Sequence, residues 1–483
     1  MMDYRSFVRQ ALAGHGLLGI VLGALVFQVC LTGALSVLSG ELRLFEQPSA
    51  PIVSSASPEA FESLVREGYE EASKSGSAVI ILGPNEQYPR LELRQPDIED
   101  GYADASGAII EPSHTPWTDF VTELHENLHL PGFWGSLIMG LGGVALLGSI
   151  ISGVAAHSRI WRDLFRLRLR GSDRKREADL HNRTGVWGIP VFAVIALTGA
   201  YLSFAPMLGS FVEPLFRDQA SPNGAASLST QINRERIVVP PVAEIIRQVE
   251  RENAPAKVSF VMLTSPGTPG QMLHVDTDVP RQMASGESYQ FDAQGQPLGA
   301  VGYADGAVGL QIGVAMFPLH FGNFAGPPMR WIYFAIGLAL CFLVATGMRI
   351  WFLRMLQQGT EVTVRWRVWS AFMWGQPLAL ALANLGTAAN ISPLLIYACL
   401  TIGSIGVGIL PFVTALIRRA LMIGTSSALA TILFIAVDRH SGLPFTDPIF
   451  WLVFVLSMVF AGAALRQPRP PSEPEYVFSD QLG

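Results

Sequence analysis

Six of the nine histidines in this sequence lie at the ends of long apolar stretches instead of being scattered along the chain. An ionisable side chain at membrane depth is costly and usually has a function. Neutral imidazole suits haem iron, which takes one axial ligand from each face of the macrocycle. Any one of these histidines alone can simply anchor a helix at the interface, but the set favours a cofactor site. Its members are His15, His125, His129, His157, His181 and His320.

The apolar stretches beside these histidines are long enough to cross a bilayer, which needs about 20 apolar residues in a helix. Half of the 483 residues are hydrophobic and only 15% are charged, too few charges for a soluble surface of this size. The sequence predicts eight spans, at about Leu17–Leu38, Phe133–Ala156, Ile189–Met207, Trp331–Leu353, Trp369–Ala388, Leu394–Leu416, Ala420–Val437 and Phe450–Leu465.

Basic residues cluster in a few short segments. This distribution disfavours nucleic-acid binding and instead indicates how the chain is oriented in the membrane. Nine Lys and Arg residues lie between Arg159 and Arg183, so the positive-inside rule places the loop between spans two and three in the cytoplasm. Eight spans with both termini cytoplasmic satisfy this cluster and those at the ends of the other spans. The first stretch is long for a signal peptide and lacks a clear cleavage site, so we expect it to be retained.

Two long segments, about 41–123 and 208–318, fall on the other side of the membrane, which is the periplasm in a bacterium. Each has a helical pattern, then a strand-like run, then an Asp-x-x-Gly turn preceded by aromatic residues. The sequence therefore predicts two copies of a small α+β module. Asp104 and Asp292 are assigned to turns, because Asp-x-x-Gly is common there, and not to a metal site.

The predicted orientation sorts the histidines into two groups. His15, His157 and His181 lie near the cytoplasmic face, and His125, His129 and His320 lie near the periplasmic face. His129 and His157 are 28 residues apart, or on the order of 40 Å in a helix, so two separate sites are expected. If the segment is helical, His125 and His129 share one helical face and cannot bind opposite sides of one haem. We assign His125 as the ligand.

Small residues recur in each of the first four spans as Ser/Thr-Gly pairs. These pairs allow either helix packing or close approach of a flat macrocycle. They indicate that the first four spans form one four-helix unit, with the last four as an appended bundle. The pairs are Thr32-Gly33, Ser152-Gly153, Thr198-Gly199 and Thr346-Gly347. The three cysteines (Cys30, Cys341 and Cys399) all lie in apolar stretches and are expected to be small buried side chains.

In motif order and spacing, residues 5–355 resemble the PepSY-associated transmembrane family, whose members are also called iron-regulated membrane proteins. The block 152–182 is the most specific part. The motifs are His-Gly-Leu-Leu-Gly (15–19), Leu-Thr-Gly (31–33), Leu-His-Glu-Asn-Leu (124–128), Ser-Gly-Val-Ala-Ala-His-Ser-Arg-Ile-Trp (152–161), Asp-Leu-His-Asn (179–182) and Leu-His-Phe-Gly (319–322).

This resemblance implies a polytopic α-helical membrane protein: a four-helix haem-binding bundle plus additional helices, with small α+β PepSY-like periplasmic modules. It implies two b-type haems and, for some relatives, reduction of ferric siderophores. The family histidines fall on His15, His125, His157, His181 and His320, and His129 matches no family position. The expected organisation is span 1 in 1–40, a module in 41–123, spans 2 and 3 in 124–207, a second module in 208–318, span 4 in 319–355, further spans in 356–466 and a cytoplasmic tail in 467–483.

The resulting hypothesis is an electron wire across the inner membrane. His15 and His181 hold the inner haem, with His157 as an alternate ligand, while His125 and His320 hold the outer haem. Electrons come from quinol or a separate cytoplasmic reductase, because no dinucleotide-binding motif follows a strand, and they reduce a ferric siderophore in the periplasm. The alternatives are a non-redox protein that binds peptide or modulates a protease, and an iron or siderophore permease.

Overall fold

The structure is a computed structural model that describes residues 4–96, 100–156, 172–216, 238–278, 286–410, 414–439 and 446–466. The chain divides into two compact units, Met1–Arg354 and Met355–Gly483. His157, His440, most of the basic loop and the predicted tail after residue 466 lie outside the described residues.

The first unit contains helices of two kinds: long apolar helices and short helices outside them. The long ones are α1 (Tyr4–Ser36), α5 (Gly132–Ala156), α6 (Asp173–Phe216) and α9 (Pro327–Gln357). The shorter ones are α2 (Ser39–Glu46), α3 (Pro58–Ser75), α4 (Pro116–Glu126), α7 (Val242–Glu252) and α8 (Val308–Phe321).

The second unit consists of α10 (Thr363–Thr387), α11 (Pro393–Ile409), α12 (Thr414–Arg439) and α13 (Pro448–Leu465). Each of the eight predicted spans therefore lies mainly in a helix of the described residues. By length and composition, six helices among the described residues can cross a membrane: the four long helices of the first unit, α12 and α13. The chain is a multi-pass membrane protein.

Two predicted spans are not both long enough and apolar enough to cross a membrane. Helix α11 has 17 residues, which is about 25 Å of rise. Helix α10 is long enough, but its first turns carry Arg365 and Arg367, and Pro377 lies inside it. Its fully buried Gln376 bonds Tyr397 and Thr401 of α11. These two helices therefore pack partly through polar side chains, and such side chains lower the hydropathy of the helices.

The two outside segments form one sheet instead of two separate modules. The strands are β1 (Val79–Leu82), β2 (Leu91–Arg94), β3 (Gly101–Ala103), β4 (Ile109–Pro112), β5 (Lys257–Thr264), β6 (Met272–Asp278), β7 (Ser288–Phe291) and β8 (Pro297–Ala300). Their order is β4-β3-β2-β1-β5-β6-β7-β8, so the two segments meet at the antiparallel β1–β5 pair. The predicted repeat is present: each half is a helix followed by a four-stranded meander.

Burial explains why the halves join. One face of the sheet and the apolar faces of α3 and α7 form a single core that includes Phe61, Leu64, Ile246, Val261 and Leu273. Alternation along β6 places every second side chain in this core. A half-sheet alone would leave β1 and β5 as exposed edges, and their pairing removes both.

The turn assignment agrees with the geometry of both hairpins. Asp104 accepts backbone hydrogen bonds from Ser106 and Ala108, and Gly107 has a φ of +86°. Asp292 accepts them from Gln294 and Gln296, and Gly295 has a φ of +80°.

Three expectations differ from the structure. Two helical parts of the second outside segment were not predicted: α6 continues to Phe216, past the predicted end of span three at Met207, and Val308–Phe321 forms the apolar helix α8. Helix α4 begins at Pro116, before the predicted boundary at 124. Cys399 is exposed on its helix, whereas Cys30 and Cys341 are buried as expected.

Candidate functional site

His15 and His181 form one pair of facing imidazoles in the first unit. His15 lies on α1 and His181 on α6, and their ring centres are 6.0 Å apart with an interplanar angle of 70°. His181 lies near the start of α6, shortly after the basic loop, and His15 lies in the first half of α1. The structure thus brings together the two residues expected to form the inner pair.

His125 and His320 form a second pair, with ring centres 6.1 Å apart and an interplanar angle of 15°. They lie on the short helices α4 and α8, which precede α5 and α9. His125 packs against Gly33, which is 18 residues from His15 on α1, or about 27 Å of helical rise. The two pairs are therefore separate sites at opposite ends of the bundle.

Each imidazole bonds a backbone group of a neighbouring helix. Nδ1 of His15 bonds the carbonyl of Ser149 at 2.9 Å, that of His125 bonds Val29 at 3.1 Å, and that of His181 bonds Leu343 at 3.0 Å. His320 bonds the backbone of Ile195, and its Nδ1 lies 3.0 Å from Oγ1 of Thr198. A carbonyl can only accept, so each Nδ1 carries the proton and each Nε2 keeps its lone pair. Among the described residues, none of the four Nε2 atoms has a hydrogen-bond partner.

Each imidazole also lies against the glycine of a Ser/Thr-Gly pair. A Cβ atom added at Gly33 would lie 2.6 Å from Cε1 of His125, and one at Gly199 would lie 2.9 Å from Cε1 of His320. The corresponding distances are 3.3 Å from Gly153 to His15 and 3.2 Å from Gly347 to His181. In every case the backbone group that the imidazole bonds belongs to the residue four positions before the glycine. The glycines thus admit the imidazole edge to the helix backbone.

These contacts show that the first unit is an internal repeat. Thr32 lies 17 residues after His15, and Thr198 lies 17 residues after His181. The first repeat runs through α1, half of the sheet, α4 and α5, and the second through α6, the other half, α8 and α9. Each site takes one histidine from each repeat, so the pairs lie where the repeats meet.

Carboxylates hold the two short helices that carry the outer pair. Glu46 accepts hydrogen bonds from the N–H groups of Trp117 and Thr118 at the start of α4, at 2.9 and 3.0 Å. Burial raises the pKa of this carboxyl, outweighing its hydrogen bonds. Arg43 forms an ion pair with Asp119 on the same helix. Two residues in the last turn of α2 thereby fix the start of α4, the helix that carries His125.

Glu287 has the corresponding role in front of α8. Its carboxylate accepts backbone hydrogen bonds from Ser288, Gly302, Tyr303 and Ala304 at 2.8–3.0 Å. Burial raises its pKa, but these N–H donors lower it more, so the net pKa lies below the ordinary value. A third acidic residue, Glu41 of α2, makes a buried ion pair with Arg330 at the start of α9, at 2.7 Å.

His129 is not part of either pair. Helix α4 ends at Glu126, and His129 has a φ of +53°, so it does not share a helical face with His125. Both of its ring nitrogens are occupied, Nδ1 by Glu123 at 2.9 Å and Nε2 by the carbonyl of Phe120 at 2.9 Å. The structure places His125 and not His129 beside His320, and the helical-face argument does not apply, because His129 lies beyond the end of the helix.

The donor set fits a haem at each pair. Metal–imidazole bonds of about 2.0–2.1 Å on opposite sides of one ion place the ring centres about 6 Å apart, as in both pairs. Neutral imidazoles with Nδ1–H bonded to carbonyls are the usual arrangement for metal-ligating histidine. Within the described ranges, no group of three or more His, Cys, Asp or Glu is assembled, so the sites are pairs.

The fold and these pairs define a multi-pass membrane protein with a duplicated, histidine-bearing bundle. Residues 12–354 match the PepSY-associated TM region, and the chain belongs to that family, as its motifs predicted. A similar protein is the uncharacterized protein PA4219 of Pseudomonas aeruginosa PAO1. It is 29% identical over 302 residues, which cover 58% of this chain and 75% of that protein.

The histidines and the Ser/Thr-Gly pairs could be identified from the sequence, but the contacts between them could not. The equal 17-residue spacing was a signal that the bundle itself is duplicated. The apolar run from Val308 to Phe317 was a signal for α8. The roles of Glu46 and Glu287 had no local signal, because the segments that they hold, at Trp117–Thr118 and at Gly302–Ala304, lie 15–72 residues away.

Proposed function

We propose that this protein is a di-haem oxidoreductase of the bacterial inner membrane that passes electrons outward and reduces a ferric siderophore in the periplasm. His15 and His181 hold the inner haem, and His125 and His320 hold the outer one. The observation that carries the proposal is the double pairing of imidazoles, in which every Nδ1 has a hydrogen-bond partner and no Nε2 has one among the described residues. A bound haem b supplies one-electron transfer at each pair.

The residues of the chain keep each site fixed and shielded. Carbonyl bonds to Nδ1 fix the tautomer and the ring orientation, and they increase the basicity of Nε2. Apolar helices keep bulk water away from the inner site. Iron(II) binds hard oxygen ligands more weakly than iron(III), so one electron releases iron from a siderophore for uptake. Quinol or a separate cytoplasmic reductase supplies the electrons.

The first test is the visible spectrum of the purified protein, oxidised and reduced by dithionite, together with its haem content. We expect a b-type spectrum and about two haems per chain. His15→Ala and His181→Ala should each leave about one haem, as should His125→Ala and His320→Ala. His129→Ala is the matched control and should keep both.

The two inner variants should remove the same spectral component, and the two outer variants should remove the other. All four should also slow reduction of a ferric siderophore by a donor added on the cytoplasmic side. A folded, colourless protein from haem-replete cells would contradict the proposal and favour a non-redox role such as peptide binding or protease modulation. Transport without reduction would favour a permease.

A further inference from the structure

The hydroxyl groups of the four Ser/Thr-Gly pairs fall into two classes. All four donate to a carbonyl of their own helix, at 2.7–2.9 Å for the shortest bond in each case. In the second repeat, the oxygen is also close to an imidazole. Thr198 Oγ1 lies 3.0 Å from Nδ1 of His320, and Thr346 Oγ1 lies 3.2 Å from Nδ1 of His181.

In the first repeat, the described residues show no such bond from Thr32 to His125 or from Ser152 to His15. In these two imidazoles, Nδ1 bonds only a backbone carbonyl. Since each site takes one histidine from each repeat, each site has one imidazole with a single acceptor and one with two.

The direction of the bonds follows from the donors. Thr198 gives its hydrogen to the carbonyl of Val194 at 2.7 Å, and Thr346 gives its hydrogen to that of Phe342 at 2.8 Å. The oxygens are therefore left to accept from the Nδ1–H of the imidazole. Both threonines are buried, at 1% and 4% exposure, where water does not compete for this bond.

We propose that Thr198 and Thr346 are positioning residues that make the two ligands of each pair unequal and thereby set the reduction potential of each site. The inference rests on the proposed function, because it needs haem at the pairs. A second acceptor on Nδ1–H makes the imidazole a stronger electron donor to iron. Stronger donation stabilises the ferric form, so these hydroxyls hold the potential down.

The experiment is a spectroelectrochemical titration of full-length protein carrying Thr198→Val or Thr346→Val, which keep the side-chain shape but remove the hydroxyl. We expect both haems to remain bound. The potential of the outer haem should rise in Thr198→Val and that of the inner haem in Thr346→Val. The same titration on the one-haem variants His15→Ala and His125→Ala assigns each wave to its site.

Thr32→Val and Ser152→Ala are matched controls, because their hydroxyls bond only their own helix. They should leave both potentials unchanged. Thr198→Ser and Thr346→Ser keep a hydroxyl and should restore the wild-type values. The ferric electron paramagnetic resonance spectrum should change in the valine variants and not in the serine variants.

Unchanged potentials in both valine variants, or equal shifts in the controls, would overturn the inference. So would loss of a haem from the valine and serine variants alike, since the threonine would then only fill space. These outcomes are distinct from failure of the proposed function, in which the wild-type protein binds no haem at all.

Discussion

At the scale of single residues, the glycines opposite the histidines decide whether an imidazole can reach the helix backbone. The space between glycine and imidazole is not the same at the four positions. Gly33 and Gly199, at the outer pair, leave less room than Gly153 and Gly347 at the inner pair. A methyl group at Gly33 or Gly199 must displace the imidazole ring and break its backbone hydrogen bond. At Gly153 or Gly347, the imidazole needs to move by only a few tenths of an ångström.

We therefore expect Gly33→Ala and Gly199→Ala to lose most of the outer haem, leaving about one haem per chain. Gly153→Ala and Gly347→Ala should retain more of the inner haem. Haem content and the reduced-minus-oxidised spectrum measure both. Gly19→Ala on α1 is the control, since nothing lies within 4 Å of its added Cβ. Equal loss in all five variants would show that helix packing, not the histidine contact, is the cause.

At the scale of elements, short helices outside the long ones position the outer pair, and the carboxylates of Glu46 and Glu287 position those helices. Glu287 ties the loop before α8 through four backbone N–H groups. Leaving one such buried donor without an acceptor costs about 1–3 kcal/mol. The element that carries His320 is thus held by a residue 33 positions away.

Glu287→Gln should lower the melting temperature and deplete the outer haem, because an amide presents one acceptor and loses the charge. The pKa of Glu287 is lowered on folding. Its contribution to stability is therefore full above its unfolded pKa of about 4.3 and is lost as the pH falls through the lower, folded value.

Melting temperature measured against pH tests this directly. The wild-type protein should lose stability over that acid range, and Glu287→Gln should lose less of it. Glu244→Gln, the same change at an exposed position of α7, should behave as wild type. Identical pH profiles for Glu287→Gln and wild type would contradict this role for Glu287.

At the scale of the whole molecule, the two pairs are about 27 Å apart along α1, with a sheet built from both repeats outside one end. The proposed direction of electron flow requires the sheet and the basic loop to lie on opposite sides of the membrane. Lys74 of α3, at 67% side-chain exposure, and Lys175 of α6, which is also exposed, report on the two sides.

We expect Lys74→Cys to react with a membrane-impermeant maleimide in intact spheroplasts, and Lys175→Cys to react only after permeabilisation. Cys399→Ser removes the exposed native thiol, and Cys30 and Cys341 are buried. That background protein should remain unlabelled. Labelling of Lys175→Cys in intact spheroplasts would show that the orientation is opposite to the one proposed. The His15–His181 pair would then be the outer site and the His125–His320 pair the inner site.

The sequence by itself determined the membrane class, the family and the approximate positions of the long apolar helices. It could do so because hydropathy, charge bias and spacing are local properties of the chain. The tertiary structure decided which histidines face each other, which glycine each one contacts and which ring nitrogens remain available. His129 shows the difference: its spacing from His125 suggested a shared helical face, but the helix ends at Glu126 and both ring nitrogens are used.

The sheet shows the same division. Each half was visible as a repeat, because strand and turn patterns are local. Their fusion into one sheet was not, since β1 and β5 are separated by 174 residues that include two long helices. Pairings across such distances depend on the edges and apolar faces that remain once each half has formed. Only the assembled fold brings those surfaces, and the two histidine pairs, together.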